Sequence, residues 1–221
     1  MKTLIIAAHP DDEVLGCGGT IARHTAEGDN VSILFLSDGV TSRENPSQSL
    51  EERNKSSFEA CRILGANAPI FLNFPDNKMD TIPLLEIVQA LEKIINKIKP
   101  EVIYTHHAGD LNIDHRITHN AVMTACRPQP DFFVKKILSF EILSSTEWNS
   151  NSFGRQFIPN YFVNITKNFN IKIKALKAYD AEMRSYPHSR SYQAVEALAK
   201  YRGASIGFNF AEAFYAERIL I

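Results

Sequence analysis

An α/β fold with a mostly parallel sheet flanked by helices, closed by a C-terminal helical and strand cap, is the class predicted for this 221-residue chain. Three observations predict it. Short segments rich in β-branched and aromatic residues alternate with stretches of helical periodicity, the pattern of parallel strands joined by crossover helices. Gly28, Gly65 and Pro100 punctuate the ends of the helical stretches. Clusters of His, Asp and Asn follow the first and fourth strand-like segments, where open α/β sheets bind ligands.

Taken in order, Leu4 to Ala8 reads as a buried first strand, Leu15 to Glu27 as a helix stopped by Gly28, and Val31 to Leu36 as a second strand followed by the turn Asp38-Gly39. Leu50 to Leu64 aligns Phe58, Cys61 and Leu64 on one helical side and stops at Gly65; Ile70 to Phe74 is strand three. From Ile82 to Ile98 the apolar residues recur with a period of about 3.6, the clearest amphipathic helix of the chain. Val102 to Tyr104 makes strand four, Arg116 to Cys126 the next helix and Ile137 to Leu143 strand five. The rhythm then changes: a Ser/Asn-rich connection over 144–152, a strand over Tyr161 to Ile165, and helical patterns over Ile171 to Arg184 and Gln193 to Tyr201. Residues 1–221 therefore read as one domain, with a core over 1–145 and a cap over 146–221. Internal repeats are absent.

Composition narrows the function classes. Hydrophobic residues at 44% and charged residues at 22% describe an ordinary globular chain. Lys+Arg 24 against Asp+Glu 25 leaves a net charge of -1, which supplies no field for nucleic acid or an anionic membrane. Three cysteines, Cys17, Cys61 and Cys126, without C-x-x-C spacing, argue against a disulfide framework and suit a cytoplasmic location. No apolar run is long enough to span a bilayer or to serve as a signal segment.

The first strand ends in His9-Pro10-Asp11-Asp12-Glu13, followed by Gly16-Cys17-Gly18-Gly19. An imidazole and a carboxylate three residues apart, bent around a proline, can converge on one cation, and His/Asp sets favour zinc or a similar divalent ion. Asp11 is then free to act beside the ion. The structural alternative is that His9 packs in the core and Asp11 or Asp12 caps the next helix. A second cluster, from Thr105 through His106, His107, Asp110, Asn112, Asp114 and His115 to Arg116, stands at the end of strand four, and two such strand-end clusters favour the metal. The four glycine-rich residues after the first motif fit close helix packing better than a dinucleotide site, because their spacing is wrong and three acidic residues precede them.

These motifs, with Arg53 ahead of Ala60-Cys61-Arg62-Ile63-Leu64-Gly65, resemble the LmbE/PIG-L family of zinc-dependent de-N-acetylases over residues 1 to about 145. A looser likeness continues through Pro187-His188-Ser189-Arg190-Ser191 and Ala211-Glu212-Ala213-Phe214. The resemblance implies a Rossmann-like sheet, a zinc ion held by His9, Asp12 and His115, Asp11 as general base, Arg53 at the substrate, and an N-acetylated amino sugar or its nucleotide or lipid conjugate as substrate. Fe2+ is compatible with the same ligands. Many members carry a histidine three residues before the last ligand, stabilising the oxyanion; Asn112 stands there in this chain, able to donate from its amide, with Asp114 beside the ligand. The same resemblance points to hydrolysis of an acetamide, with a larger acyl or thiol conjugate, or a non-catalytic sugar- or nucleotide-binding module, as the alternatives.

The remaining candidates are substrate contacts. His107 is favoured over His106 as a donor next to the second cluster, and Asp110 lies in the same loop. His188 and Arg190 sit in a turn between two helices, either as an exposed loop or as part of a cap binding hydroxyl or phosphate groups. Arg43 and Asp76, after strands two and three, either line the pocket or are solvated. His24 and His119 fall within helices and read as surface or packing residues rather than ligands. A homo-oligomer is compatible with the sequence.

Overall fold

The computed structural model describes residues 1–42, 49–130, 132–150 and 155–221. Strands β1 (Lys2–Ala7), β2 (Asn30–Ser37), β3 (Ile70–Phe74), β4 (Val102–His106), β5 (Lys136–Phe140), β6 (Tyr161–Asn164) and β7 (Ala211–Ile219) form one sheet in the order β3-β2-β1-β4-β5-β7-β6. Neighbours among β1 to β5 pair in parallel, whereas β7 runs antiparallel to both β5 and β6. The predicted mostly parallel α/β sheet is thus present.

Alternation along the strands divides the core in two. Ile5, Ala7, Phe35, Tyr104 and Leu138 face α1 (Asp12–Ala26), α2 (Leu50–Leu64) and α5 (Phe169–Leu176). Leu4, Ile6, Leu34, Leu36 and Ile103 face α3 (Leu84–Ile98) and α4 (Ile113–Ala125). Helix α6 (Tyr192–Ala204) packs its Val195 and Ala199 into the first of these clusters. Strands buried on both faces explain the continuous apolar runs that identify β1 and β2 in the sequence.

Most predicted elements lie within a few residues of their observed bounds, and the larger shifts have local causes. Helix α4 begins at Ile113 rather than Arg116 because the Asn112 side chain accepts the Asp114 N–H at 2.8 Å. Helix α1 begins at Asp12 rather than Leu15, with Asp12 and Glu13 in a first turn where the helix dipole favours acids. Asp11 occupies its N-cap position without a side-chain cap bond, at φ 108°. Helix α2 starts on a capping box in which Ser49 and Glu52 exchange bonds, and Gly65 ends it at φ 74°. Strand β7 is the element that local sequence does not reveal. Its Ala- and Glu-rich composition reads poorly as strand, yet it is held between β5 and β6.

The glycine-rich stretch lets α1 approach the sheet. A Cβ on Gly16 would lie 2.5 Å from the Phe140 ring, and one on Gly19 would lie 2.7 Å from Ile165. Helix α1 is also broken at Cys17 (φ −146°, ψ 24°), which removes hydrogen bonds within the helix. Side chains from distant elements replace them. Glu212 of β7 accepts the Gly19 and Thr20 N–H groups at 2.9 and 2.7 Å and the Thr20 hydroxyl at 2.6 Å. Lys172 of α5 donates to the Leu15 carbonyl at 2.9 Å and to Glu212 at 2.6 Å. Both side chains are buried. Among the described residues, no helix is long and apolar enough to cross a membrane.

Candidate functional site

The order of the sheet decides where a site forms. From β1 the chain steps outward through β2 to β3, then returns to the other side of β1 for β4, so a crevice opens between the carboxyl ends of β1 and β4. The His9–Asp12 segment follows β1, and the loop leading into α4 follows β4. Their side chains meet in a polar cleft of about 100 Å³ whose lining includes His9, Asp11, Asp12, Arg53, Asp76, Asn77, Asn112, His115, Ser145 and Arg190.

His9, Asp12 and His115 bring one ligand atom each into a single group whose atoms lie within 4.8 Å of one another. Asp12 Oδ2 is 3.3 Å from His9 Nδ1 and 3.3 Å from His115 Nε2, and all three residues are buried. The second nitrogen of each imidazole faces a carboxylate. His9 Nε2 lies 3.1 Å from Asp114 Oδ2 and 3.2 Å from Asp76 Oδ1, and His115 Nδ1 lies 3.1 Å from Asp110 Oδ1. This is the outer arrangement that sets the tautomer of a metal-binding histidine, so the residues present fit a divalent cation such as zinc. A second group, His9, Asp76 and Asp114, offers the other nitrogen of His9. Its carboxylates are already occupied: Asp114 accepts the Asn77 and Met79 N–H groups, and Asp76 accepts the Ser42 N–H and hydroxyl.

Charge follows from this packing. Burial opposes a charge on His9 and His115, yet facing carboxylates outweigh it: His9 is raised well above the ordinary histidine value and His115 to about 9. Burial raises Asp12, but His115 and His106 hold it well below the carboxylate range. Asp76 is held at about 2, its burial outweighed by His9 and Ser42. Asp11 is raised, since burial exceeds the pull of Arg53 and Arg190.

The other sequence-predicted residues are placed as follows. Asp11 lines the cleft, and its Oδ2 is 3.1 Å from both Arg53 Nη2 and Arg190 Nη1. Arg53 is 1% exposed and also contacts the Pro10 carbonyl and, at 3.1 Å, Glu182, so it grips Asp11 from below. Asn112 lines the cleft while its carbonyl caps α4 and its amide donates to Asn77 at 3.2 Å. Asp110 lies behind His115, accepting the Ser145 and Thr146 hydroxyls and the Asn112 N–H. His107 does not line the cleft; its Nδ1 accepts the Gly109 N–H and its ring packs on Phe157 and Tyr215. His188 is exposed and meets Trp148 ring to ring, whereas Arg190, two residues on, reaches Ser144 and Asp11. Arg43 lies outside the described residues.

Sequence reasoning favours His107, but His106 is the one at the centre. Strand alternation continues the Val102 and Tyr104 face, carrying His106 to the α1 side, where it stacks on His115 with centroids 3.9 Å apart. Its Nε2 accepts the Ala8 N–H at 2.9 Å, which requires a neutral ring; burial and the neighbouring His115 lower it to about 4. That alternation was the available signal. Glu13, Tyr179 and Glu182, buried beneath Asp11, carry no local signal of their place.

Comparison with known proteins gives the family and agrees with the fold. The sequence pattern of the PIG-L, GlcNAc-PI de-N-acetylase, family matches residues 4–126. The uncharacterized deacetylase YaiS of Escherichia coli K12 is 34% identical over 182 residues, covering 80% of this chain and 89% of that protein. The diacetylchitobiose deacetylase of Thermococcus kodakarensis is 26% identical over 232 residues, covering 96% of this chain and 81% of that enzyme. Among solved structures, the conserved protein TT1542 of Thermus thermophilus superposes with a TM-score of 0.81 at 28% identity, covering 99% of this chain and 95% of that one. With a pattern matching more than half of its residues and a relative aligned over four fifths of it, the chain belongs to the PIG-L family of de-N-acetylases.

Proposed function

We propose that this protein is a divalent-metal-dependent hydrolase, with zinc the favoured ion, that removes acetyl from an N-acetylated amino sugar or a conjugate of one. The observation that carries the proposal is the buried His9–Asp12–His115 group with the Asp11 carboxylate beside it in one polar cleft. A deacetylase of diacetylchitobiose among the relatives supports the substrate class.

His9, Asp12 and His115 would hold the ion, which when bound polarises the acetamide carbonyl and makes a nucleophile available at neutral pH. Asp114, Asp76 and Asp110 keep the two imidazoles oriented toward it. Asp11, lifted by burial toward a more basic range, takes a proton from the attacking water and returns it to the amine nitrogen as the C–N bond breaks. Acetate and a free amino sugar are the products. The Asn112 amide and the Arg190 guanidinium are the donors facing the carbonyl oxygen as it gains charge, and loss of one such donor commonly costs about 10²–10³ in rate. Asn77, Ser144 and Ser145 offer hydrogen bonds to sugar hydroxyls. Three buried, unpaired cysteines suit a reducing, cytoplasmic compartment.

The test is acetate release by zinc-loaded protein from N-acetylglucosamine, N,N'-diacetylchitobiose, a nucleotide-linked and a lipid-linked N-acetylhexosamine. Turnover of at least one is expected, abolished in Asp11→Ala with bound zinc unchanged. Failure of every substrate, or full turnover by Asp11→Ala, overturns the proposal; sugar binding that ignores both chelator and Asp11→Ala would instead mark a binding module.

A further inference from the structure

One buried acid in the first motif takes no part in the chemistry above. Glu13 is 0% exposed and does not line the cleft, so it cannot touch a substrate. Its Oε2 accepts the Asp11 N–H at 2.9 Å, and its Oε1 accepts the Tyr179 hydroxyl at 2.7 Å. Tyr179 is fully buried in the 3-10 turn that continues α5, and the Arg53 guanidinium lies 5.3 Å from its ring centroid.

The residue so gripped has an unusual backbone. Asp11 sits at φ 108°, ψ −30°, a conformation that a residue with a Cβ adopts only when its surroundings hold it there. Its backbone is held by Glu13 at the N–H, and its carboxylate by Arg53 and Arg190 at Oδ2. Arg53 is itself pinned by Glu182 at 3.1 Å. Turning Asp11 to an ordinary negative φ would break the Glu13 bond and swing the carboxylate relative to the His9–Asp12–His115 group. The brace draws on α1, α2 and the turn after α5, three elements distant in sequence.

We infer that Glu13, braced by Tyr179, is a positioning residue that holds the Asp11 backbone in its positive-φ conformation and so aims the Asp11 carboxylate. This inference rests on Asp11 being the proton acceptor of the proposed reaction. Glu13 exerts its effect through the peptide N–H of Asp11, and the requirement is for an acceptor at that atom. A residue that merely filled the space would serve the fold but not the aim.

The experiment compares Glu13→Met, which keeps the length and removes the acceptor, with Glu13→Gln, which keeps an acceptor for the Asp11 N–H. Zinc-loaded proteins are assayed for acetate release from N,N'-diacetylchitobiose, or whichever substrate the wild type turns over, and their crystal structures are determined. Glu13→Met is expected to lose about 10²-fold in kcat, the scale of a misplacement of about 1 Å, with KM and zinc content near wild type and Asp11 relaxed to negative φ. Glu13→Gln is expected to restore kcat to within about fivefold, with Asp11 still at positive φ. Tyr179→Phe, which frees Glu13 from its brace, is expected to fall between them, and it decides the question if Glu13→Met does not fold. Wild-type kcat in Glu13→Met, or in Tyr179→Phe where that variant decides, overturns the inference, as does Asp11 remaining near φ 108° without its acceptor. A wild-type protein inactive on every sugar would sink the proposed reaction instead, and the conformation of Asp11 in the two Glu13 variants would still decide whether Glu13 holds it.

Discussion

Replacing Glu212 with Gln tests how the kinked first helix is held. The native carboxylate receives four donors, the Gly19 and Thr20 N–H groups, the Thr20 hydroxyl and the Lys172 ammonium, in a site where Glu212 and Lys172 are 5% and 4% exposed. Gln leaves the ammonium buried without its counter-charge and turns an NH2 toward groups that also donate. Breaking a buried pair from one side costs about 3–5 kcal/mol. For a chain of this size each kcal/mol lowers Tm by roughly 2–4 °C, so a fall of about 6–20 °C is expected. Lys172→Met is the informative partner. It removes the ammonium and orphans the Leu15 carbonyl, about 1–3 kcal/mol, but Glu212 keeps three donors. Urea unfolding followed by circular dichroism measures both, with Glu212→Gln the more damaging. A loss below about 1 kcal/mol in Glu212→Gln, or the reverse ranking, would refute the view that Glu212 stands in for hydrogen bonds lost at Cys17.

Two further outcomes follow from the packing. His115→Ala removes one of three ligand atoms and the partner of Asp110, so bound zinc measured by elemental analysis should fall from stoichiometric to near zero together with acetate release; stoichiometric zinc in that variant would place the ion elsewhere. Burial raises all three thiols, Cys126 to about 12, and raises Tyr104 and Tyr179 as well. The folded state keeps these groups neutral while the unfolded chain ionises its thiols from about pH 8.5. Their contribution to stability is therefore complete below that pH and is lost as pH rises toward 12. The urea midpoint should drop between about pH 8 and pH 10, and native protein at about pH 8 should not react with a thiol reagent; an unchanged midpoint or rapid labelling would contradict the burial.

Much of this was legible because strong local signals coincide with the tertiary demand. β1 and β2 are apolar throughout since both faces of their sheet are covered, α3 has a regular apolar stripe, and α2 carries its own cap and stop. The first motif is equally local: one tight turn of four residues places His9 and Asp12 together. Where a residue's role depends on which face it occupies, sequence reasoning slipped. His106 and His107 are adjacent and alike in type, and the alternation of β4, which ends at His106, separates the one stacked on His115 from the one packed on Phe157 and Tyr215. Arg53 does line the cleft, as its place in the motif leads one to expect, and the turn after α5 adds what no local pattern records, Glu182 and Tyr179 holding it against Asp11.

The sequence by itself determined the alternating strands and helices, the polar strand ends and the residue types able to hold a divalent ion, because each is a property of neighbouring residues. Tertiary structure alone decided that β7 enters the sheet between β5 and β6, that Glu212 and Lys172 mend the break in α1, and that Glu13, Tyr179, Arg53 and Glu182 gather beneath Asp11. Among these contacts, Glu212 to Gly19, Lys172 to Leu15, Tyr179 to Glu13 and Arg53 to Glu182 each join residues more than a hundred positions apart. A buried donor or acceptor takes whatever partner the fold delivers, and no local pattern records which one that is.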